Sequence, residues 1–268
     1  MEKNNKTMKS DLSEEFLRLV EIMDELREKC PWDKKQTFES IRHLSIEEVY
    51  ELSDAILEKD FEKIKNELGD LLLHVVFYAK MGSEGNHFSL QDVVFHVCEK
   101  LIRRHPHIYG DTKVTDDNQV KENWEKIKMK ERVEKGNKDE SVLDGVPVSM
   151  PSLVKSIRVQ EKVKAVGFDW ERVEDVSAKV KEEWAELEKE IEEGNKDGAE
   201  EEFGDLLFSM VNYARFLDIN PEDALEKTNR KFIGRFKTME RLMKNEGVVL
   251  GQVPLEVLDR YWNKAKEK

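Results

Sequence analysis

Apolar side chains in the stretch ELGDLLLHVVFYAK (67–80) recur at helical spacing: Leu68, Leu71, Leu72, Val75, Val76 and Ala79 follow the i, i+3, i+4, i+7, i+8 rhythm. That rhythm predicts a helix with one buried stripe. A second stretch, EFGDLLFSMVNYAR (202–215), repeats it with Phe203, Leu206, Leu207, Met210, Val211 and Ala214. Each is preceded by another predicted helix, about 40–58 and 173–194, through the short turns Glu58-Lys59-Asp60 and Gly194-Asn195-Lys196. Turns this short make antiparallel neighbours. A further helix in each half carries bases, KLIRR at 100–104 and KFIGR at 231–235, and a terminal helix carries Trp124 or Trp262. The expected fold class is all-α: two tandem repeats, each a bundle of four to five helices, at residues 1–130 and 152–268. Residues 131–151, ERVEKGNKDESVLDGVPVSMP, lose periodicity, collect Gly, Asn, Asp, Ser and Pro, and read as a partly ordered linker.

Composition narrows the function classes. Hydrophobic and charged residues each make up 38% of 268 residues, with only 13 Gly and 6 Pro, a helix-favouring balance. The net charge of -13 argues against nucleic acid as the main partner, because a phosphate backbone needs a basic face. Cys30 and Cys98 match neither a zinc spacing nor a disulfide framework. No apolar run is long enough to span a bilayer, and the start MEKNNKTMKS has no apolar signal core, so no membrane role and a cytoplasmic location are expected.

The candidate chemistry lies beside the apolar stripes. Glu47-Glu48-x-x-Glu51 followed by Glu67-x-x-Asp70 recurs as Glu182-Glu183-x-x-Glu186 and Glu202-x-x-Asp205, every position displaced by 135 residues. Residues three or four apart share a helix face, so each repeat gathers carboxylates. A single acidic motif in so charged a chain is most simply a solvated face; its repetition beside an apolar stripe favours metal binding. Oxygen-only ligands suit a hard divalent ion, Mg2+ with Mn2+ as the alternative. A di-iron bundle would need Glu-x-x-His, and His74 of the first half is Ser209 in the second, so His74 reads as structural. Lys231 and Arg235, matched by Lys100 and Arg104, supply the positive charge that a metal-held polyphosphate also requires. Trp124 and Trp262 read first as core residues, with Trp262 a weaker candidate for contact with a base. No phosphate-binding glycine loop, nucleophile elbow or Cys–His pairing stands in the chain, which leaves water as the expected nucleophile.

Taken together, CPWDKKQTFESI (30–41), LSIEEVYEL (44–52), ELGDLLLHVVFYAK, RRHPHIYGD (103–111), VGFDW (166–170), EEFGDLLFSMVNYAR and NRKFIGRF (229–236) closely resemble the MazG nucleoside triphosphate pyrophosphohydrolase family, over nearly the whole chain. The resemblance implies the all-α pyrophosphatase fold in tandem, a homodimer, Mg2+, and cleavage of nucleoside triphosphates to monophosphate and pyrophosphate. It places metal ligands at Glu183, Glu186, Glu202 and Asp205 and nucleotide contacts at Lys179, Lys231, Arg235 and Trp262. In the first repeat the set Glu48, Glu51, Glu67 and Asp70 is intact, but Lys179 aligns with Leu44, so the second repeat is the expected main active site. Glu182 is the candidate general base. Two readings remain beside this one: an alarmone-type nucleotide hydrolase, and a scaffold that binds metal for structure.

Overall fold

The computed structural model describes residues 2–134 and 141–267, with side chains left undescribed at 2–10, 117–118, 121–122, 129 and 132–134. Among the described residues there is no strand. The helices are α1 (Glu2–Lys29), α2 (Phe38–Glu58), α3 (Phe61–Glu84), α4 (Leu90–Arg104), α5 (Pro106–Tyr109), α6 (Asp117–Glu134), α7 (Ser152–Lys164), α8 (Val173–Glu193), α9 (Lys196–Phe216), α10 (Pro221–Asn245) and α11 (Leu255–Lys266). The chain divides into two compact units, residues 1–114 and 115–268. The fold is all-α, as the periodicity predicts.

The 135-residue shift holds for whole elements. α2 begins at 38 and ends at 58 while α8 begins at 173 and ends at 193, and α3 and α9 begin at 61 and 196. The turns between them are built alike. Lys59 and Gly194 both close a helix in the left-handed region, at φ 58° and 71°. Asp60 and Asn195 then cap the next helix, Asp60 accepting from the backbone N–H groups of Glu62 and Lys63, and Asn195 from that of Gly198. Side-chain caps of this kind satisfy donors that the first turn of a helix leaves unpaired.

In the first unit α1 lies along α3, and Met23, Ile41, Val76, Phe77 and Met81 form the core. Arg27 ties the CPWDKK segment to that core: its guanidinium pairs with Glu84 at 2.6 Å, donates to the carbonyls of Asp33 and Gln36, and lies over the Phe77 ring. In the second unit α8 and α9 bury Val176, Leu187, Leu206 and Val211, while Met239, Met243, Tyr261 and Ala265 join α10 to α11. The segment 141–151 is tied down here, with buried Lys162 donating to the carbonyls of Val142 and Asp144 at 2.8 and 3.0 Å. The helix of Trp124, grouped by sequence with the first repeat, belongs to the second unit instead, and its Glu125 pairs with Arg158 at 2.9 Å.

The buried stripe expected on α3 and α9 is only half buried. Val76 and Ala79 are covered, but Leu68, Leu72 and Val75 stand exposed, and so do Phe203, Leu207 and Met210 at the matching positions of α9. The partner helices do likewise, with Val49 and Ile56 exposed on α2 and Trp184 and Ile191 on α8. The apolar band is wider than the contact between the two helices of a pair, so its outer edge is uncovered among the described residues.

Candidate functional site

Helix pairing brings the repeated carboxylates together. α2 presents Glu48 to Glu67 and Asp70 of α3, and α8 presents Glu183 to Glu202 and Asp205 of α9; in each trio one oxygen per side chain lies within 4.8 Å of the others. Such a set can hold a divalent cation in an all-oxygen shell. Its electrostatics fit that use. Burial first, and then Glu186, Glu183, Asp205 and Glu201, raise the Glu202 carboxyl above its ordinary pKa. Glu48 is raised in the same way, by burial and then by Asp70, Glu51, Glu67 and Glu47. A cation among these oxygens would remove the repulsion. Glu51 and Glu186 stand outside the tight trios yet close enough to act on them.

The expected nucleotide contacts fall into two groups. Lys179, one turn before Glu183, bridges Glu183 at 2.7 Å and Glu182 at 2.8 Å, and these bonds raise its pKa. Glu183 is buried at 6% exposure, whereas the Glu182 side chain is more than half exposed and directed to Lys179 rather than to the trio. Lys231 and Arg235 lie on α10, and neither makes an ion pair among the described residues. Trp262 of α11 is half-buried against Phe232 of α10, ring centroids 4.9 Å apart. In the first unit Leu44, at the place of Lys179, packs against the hydrophobic core instead. His74 belongs to neither trio; burial lowers its pKa although Asp70 opposes this, and its Nδ1 has no hydrogen-bond partner.

The second unit also contains a group that the spacing did not single out. Arg215 of α9 forms a two-armed pair with Asp169, and its guanidinium donates as well to Asn212 Oδ1. Gln160 of α7, 4% exposed, donates from Nε2 to the Phe208 carbonyl at 2.8 Å. Asp169 stands in the VGFDW motif, so the sequence carried a signal there, but a signal of resemblance and not of chemistry.

The family model for the MazG nucleotide pyrophosphohydrolase domain matches residues 36–109 and 171–239. Those segments hold both carboxylate trios, one per repeat. The chain belongs to this family. It is 48% identical, over 94% of its length and 95% of the relative's, to the nucleoside triphosphate pyrophosphohydrolase/pyrophosphatase MazG of Thermotoga maritima. It is 42% identical, over 94% of its length and 97% of the relative's, to the nucleoside triphosphate pyrophosphohydrolase of Escherichia coli K12.

Proposed function

We propose that this protein hydrolyses nucleoside triphosphates to monophosphate and pyrophosphate, chiefly at the second repeat, with Mg2+ or Mn2+. The observation that carries the reading is the trio Glu183, Glu202 and Asp205, three carboxylates converging from two helices with Lys179 against the buried member. Glu183, Glu202 and Asp205, with Glu186 beside them, would hold the metal, as Glu48, Glu51, Glu67 and Asp70 would in the first repeat. When bound, the metal supplies charge neutralisation at phosphate oxygens and acidifies water. Lys179 would exchange its contact with Glu183 for a phosphate oxygen of the bound substrate, and Lys231 and Arg235 would neutralise the remaining oxygens. Trp262 contacts the nucleotide from the edge of the α10–α11 core. Water attacks the α-phosphorus and pyrophosphate leaves. Glu182 takes the proton only if it turns from Lys179, which makes it the member of the set most dependent on rearrangement. The first repeat has Leu44 where Lys179 stands, a replacement that weakens triphosphate binding there more than it weakens metal binding.

The working form is a homodimer. Supporting it are the exposed apolar rows on α2 and α3 and on α8 and α9, matched by the 135-residue shift, which a second copy would cover. No helix among the described residues is long and apolar enough to cross a membrane. The enzyme works in the cytoplasm, clearing nucleotide pools.

Anion-exchange analysis of products from a panel of ribo- and deoxyribonucleoside triphosphates, with metal and with chelator, tests the reading. Monophosphate and pyrophosphate, formed only with metal, are expected. Diphosphate and phosphate would overturn the cleavage position, and no product would favour a metal-binding scaffold.

A further inference from the structure

The two carboxylate trios are alike in their acids and differ in what flanks them. On α3, Glu67, Asp70 and His74 follow i, i+3, i+7 and share one face, as Glu202, Asp205 and Ser209 do on α9. On α2 and α8 the residue one turn before the acid of each trio is Leu44 or Lys179. The tight turns make each helix pair antiparallel, so one turn back along the first helix and one turn on along the second meet the same end of the trio. At that end the second repeat has an ammonium and a hydroxyl. The first repeat has a leucine and an imidazole.

In the second repeat these groups are engaged with the protein. Lys179 Nζ is held by Glu183 and Glu182, and the buried Ser209 hydroxyl donates to the Leu206 carbonyl at 2.9 Å. A metal there meets carboxylate oxygen. In the first repeat Leu44 packs against the hydrophobic core and leaves Glu48 without a competing ammonium. His74 Nδ1 is buried and has no hydrogen-bond partner. The next turn does not satisfy it, because Tyr78, at i+4, shares its hydroxyl with Ser45 Oγ of α2 at 2.9 Å. On the other side is Asp70, at i−4, whose negative charge acts on the imidazole. Side chains on a helix lean toward its N-terminus, which is the direction of Asp70.

A buried polar atom without a partner is costly, and a metal ion bound by the ring would remove that cost. The donor also selects the ion. Imidazole adds little for Mg2+, which keeps oxygen ligands and water around it, and much for borderline ions such as Co2+, Ni2+ and Zn2+. His74 stands outside the oxygens that lie within 4.8 Å of one another, so ligation requires the ring to turn about its side-chain torsions. That turn is open to a side chain that is half-buried rather than enclosed.

We propose that His74 completes the first-repeat site as a nitrogen ligand beside the oxygens of Glu48, Glu67 and Asp70, and that this site takes a borderline divalent transition ion where the second repeat takes Mg2+ or Mn2+. The first repeat is then a metal site of its own kind and not a second copy of the catalytic one. The assignment rests on the reading of both trios as metal sites, and its test separates the two.

Pulsed electron paramagnetic resonance on the full-length protein, stripped with chelator and reloaded with Mn2+, detects nitrogen bound directly to the ion as a modulation of the echo. The wild type should show that modulation. Asp205→Asn, which disables the second trio, should keep it, whereas His74→Gln and Asp70→Asn should each lose it with helix content unchanged. Calorimetry should show His74→Gln lowering the affinity of the first site for Co2+ about tenfold and for Mg2+ far less. Nitrogen modulation that survives His74→Gln, from the neighbouring rings of His105 and His107 for instance, would overturn the proposal. Bound Mn2+ without nitrogen modulation in the wild type would overturn it too, and would leave the reading of the trios as metal sites intact. No Mn2+ bound by the wild type would overturn both.

Discussion

Lys179 Nζ lies 2.7 Å from Glu183 Oε1, one turn away on the same helix, so the buried member of the second carboxylate trio is paired with an ammonium. Leu44 occupies the matching place in the first repeat, where Glu48 has no such neighbour one turn before it. The two sites share their acids and differ in this cation. Lys179→Leu therefore converts the second site toward the first, and loss of one positioned donor to the transferring group lowers kcat/KM by about 100-fold. Metal affinity, read by calorimetry with Mn2+, should change far less, because the lysine competes for Glu183 as much as it supports the site.

The raised pKa of Glu202 has a consequence for stability. Burial and then neighbouring acids disfavour its charged form in the folded state, so its folded pKa lies above its unfolded value. Between those two values the folded chain holds more protons than the unfolded chain, and stability falls as pH rises through that window. The destabilisation is absent below the unfolded value and complete above the folded one. In chelator, the melting temperature of Glu202→Gln should depend less on pH than that of the wild type across this range. Mg2+ at neutral pH should stabilise the wild type more than the variant. Identical pH profiles would show that the repulsion carries no weight.

Lys59 and Gly194 close equivalent helices in the same left-handed conformation, which a side chain with a Cβ adopts at a cost. Lys59→Gly should stabilise the first unit by about 1 kcal/mol, the relief of strain outweighing the added freedom of the unfolded chain. Gly194→Lys should destabilise the second by a similar amount. Urea melts followed by circular dichroism would compare the two, and equal and opposite shifts in midpoint are expected.

The exposed rows on α9 and α8 give the proposed dimer a testable interface. Leu207→Arg with Met210→Arg places two charges on an exposed apolar surface, so helix content should be unchanged. Sedimentation velocity should then report a monomer for this variant and a dimer for the wild type. A dimer that survives both charges would move the interface to another face.

Much of this molecule was legible in its residues. Glu48, Glu51, Glu67 and Asp70 against Glu183, Glu186, Glu202 and Asp205 exposed the tandem repeat, and the periodicity of 67–80 and 202–215 located the helices within a few residues. Burial was less legible. An apolar row such as Leu68, Leu72 and Val75 has the same pattern whether its partner is in the same chain or in a second copy, and periodicity reports a face without reporting what covers it. Gln160 was not legible at all, since its unpaired Oε1 follows from the Phe208 carbonyl lying opposite its amide, a contact between residues 48 apart in sequence. Arg215 and Asp169, 46 apart, are hidden for the same reason.

Metal-dependent cleavage of triphosphate is assigned to the second carboxylate trio. Its most direct test is product analysis of Asp205→Asn and Asp70→Asn side by side, both checked for intact helix content. Asp205→Asn should release no pyrophosphate, while Asp70→Asn should keep most of the wild-type, metal-dependent release. Pyrophosphate release that survives Asp205→Asn but disappears in Asp70→Asn would contradict it.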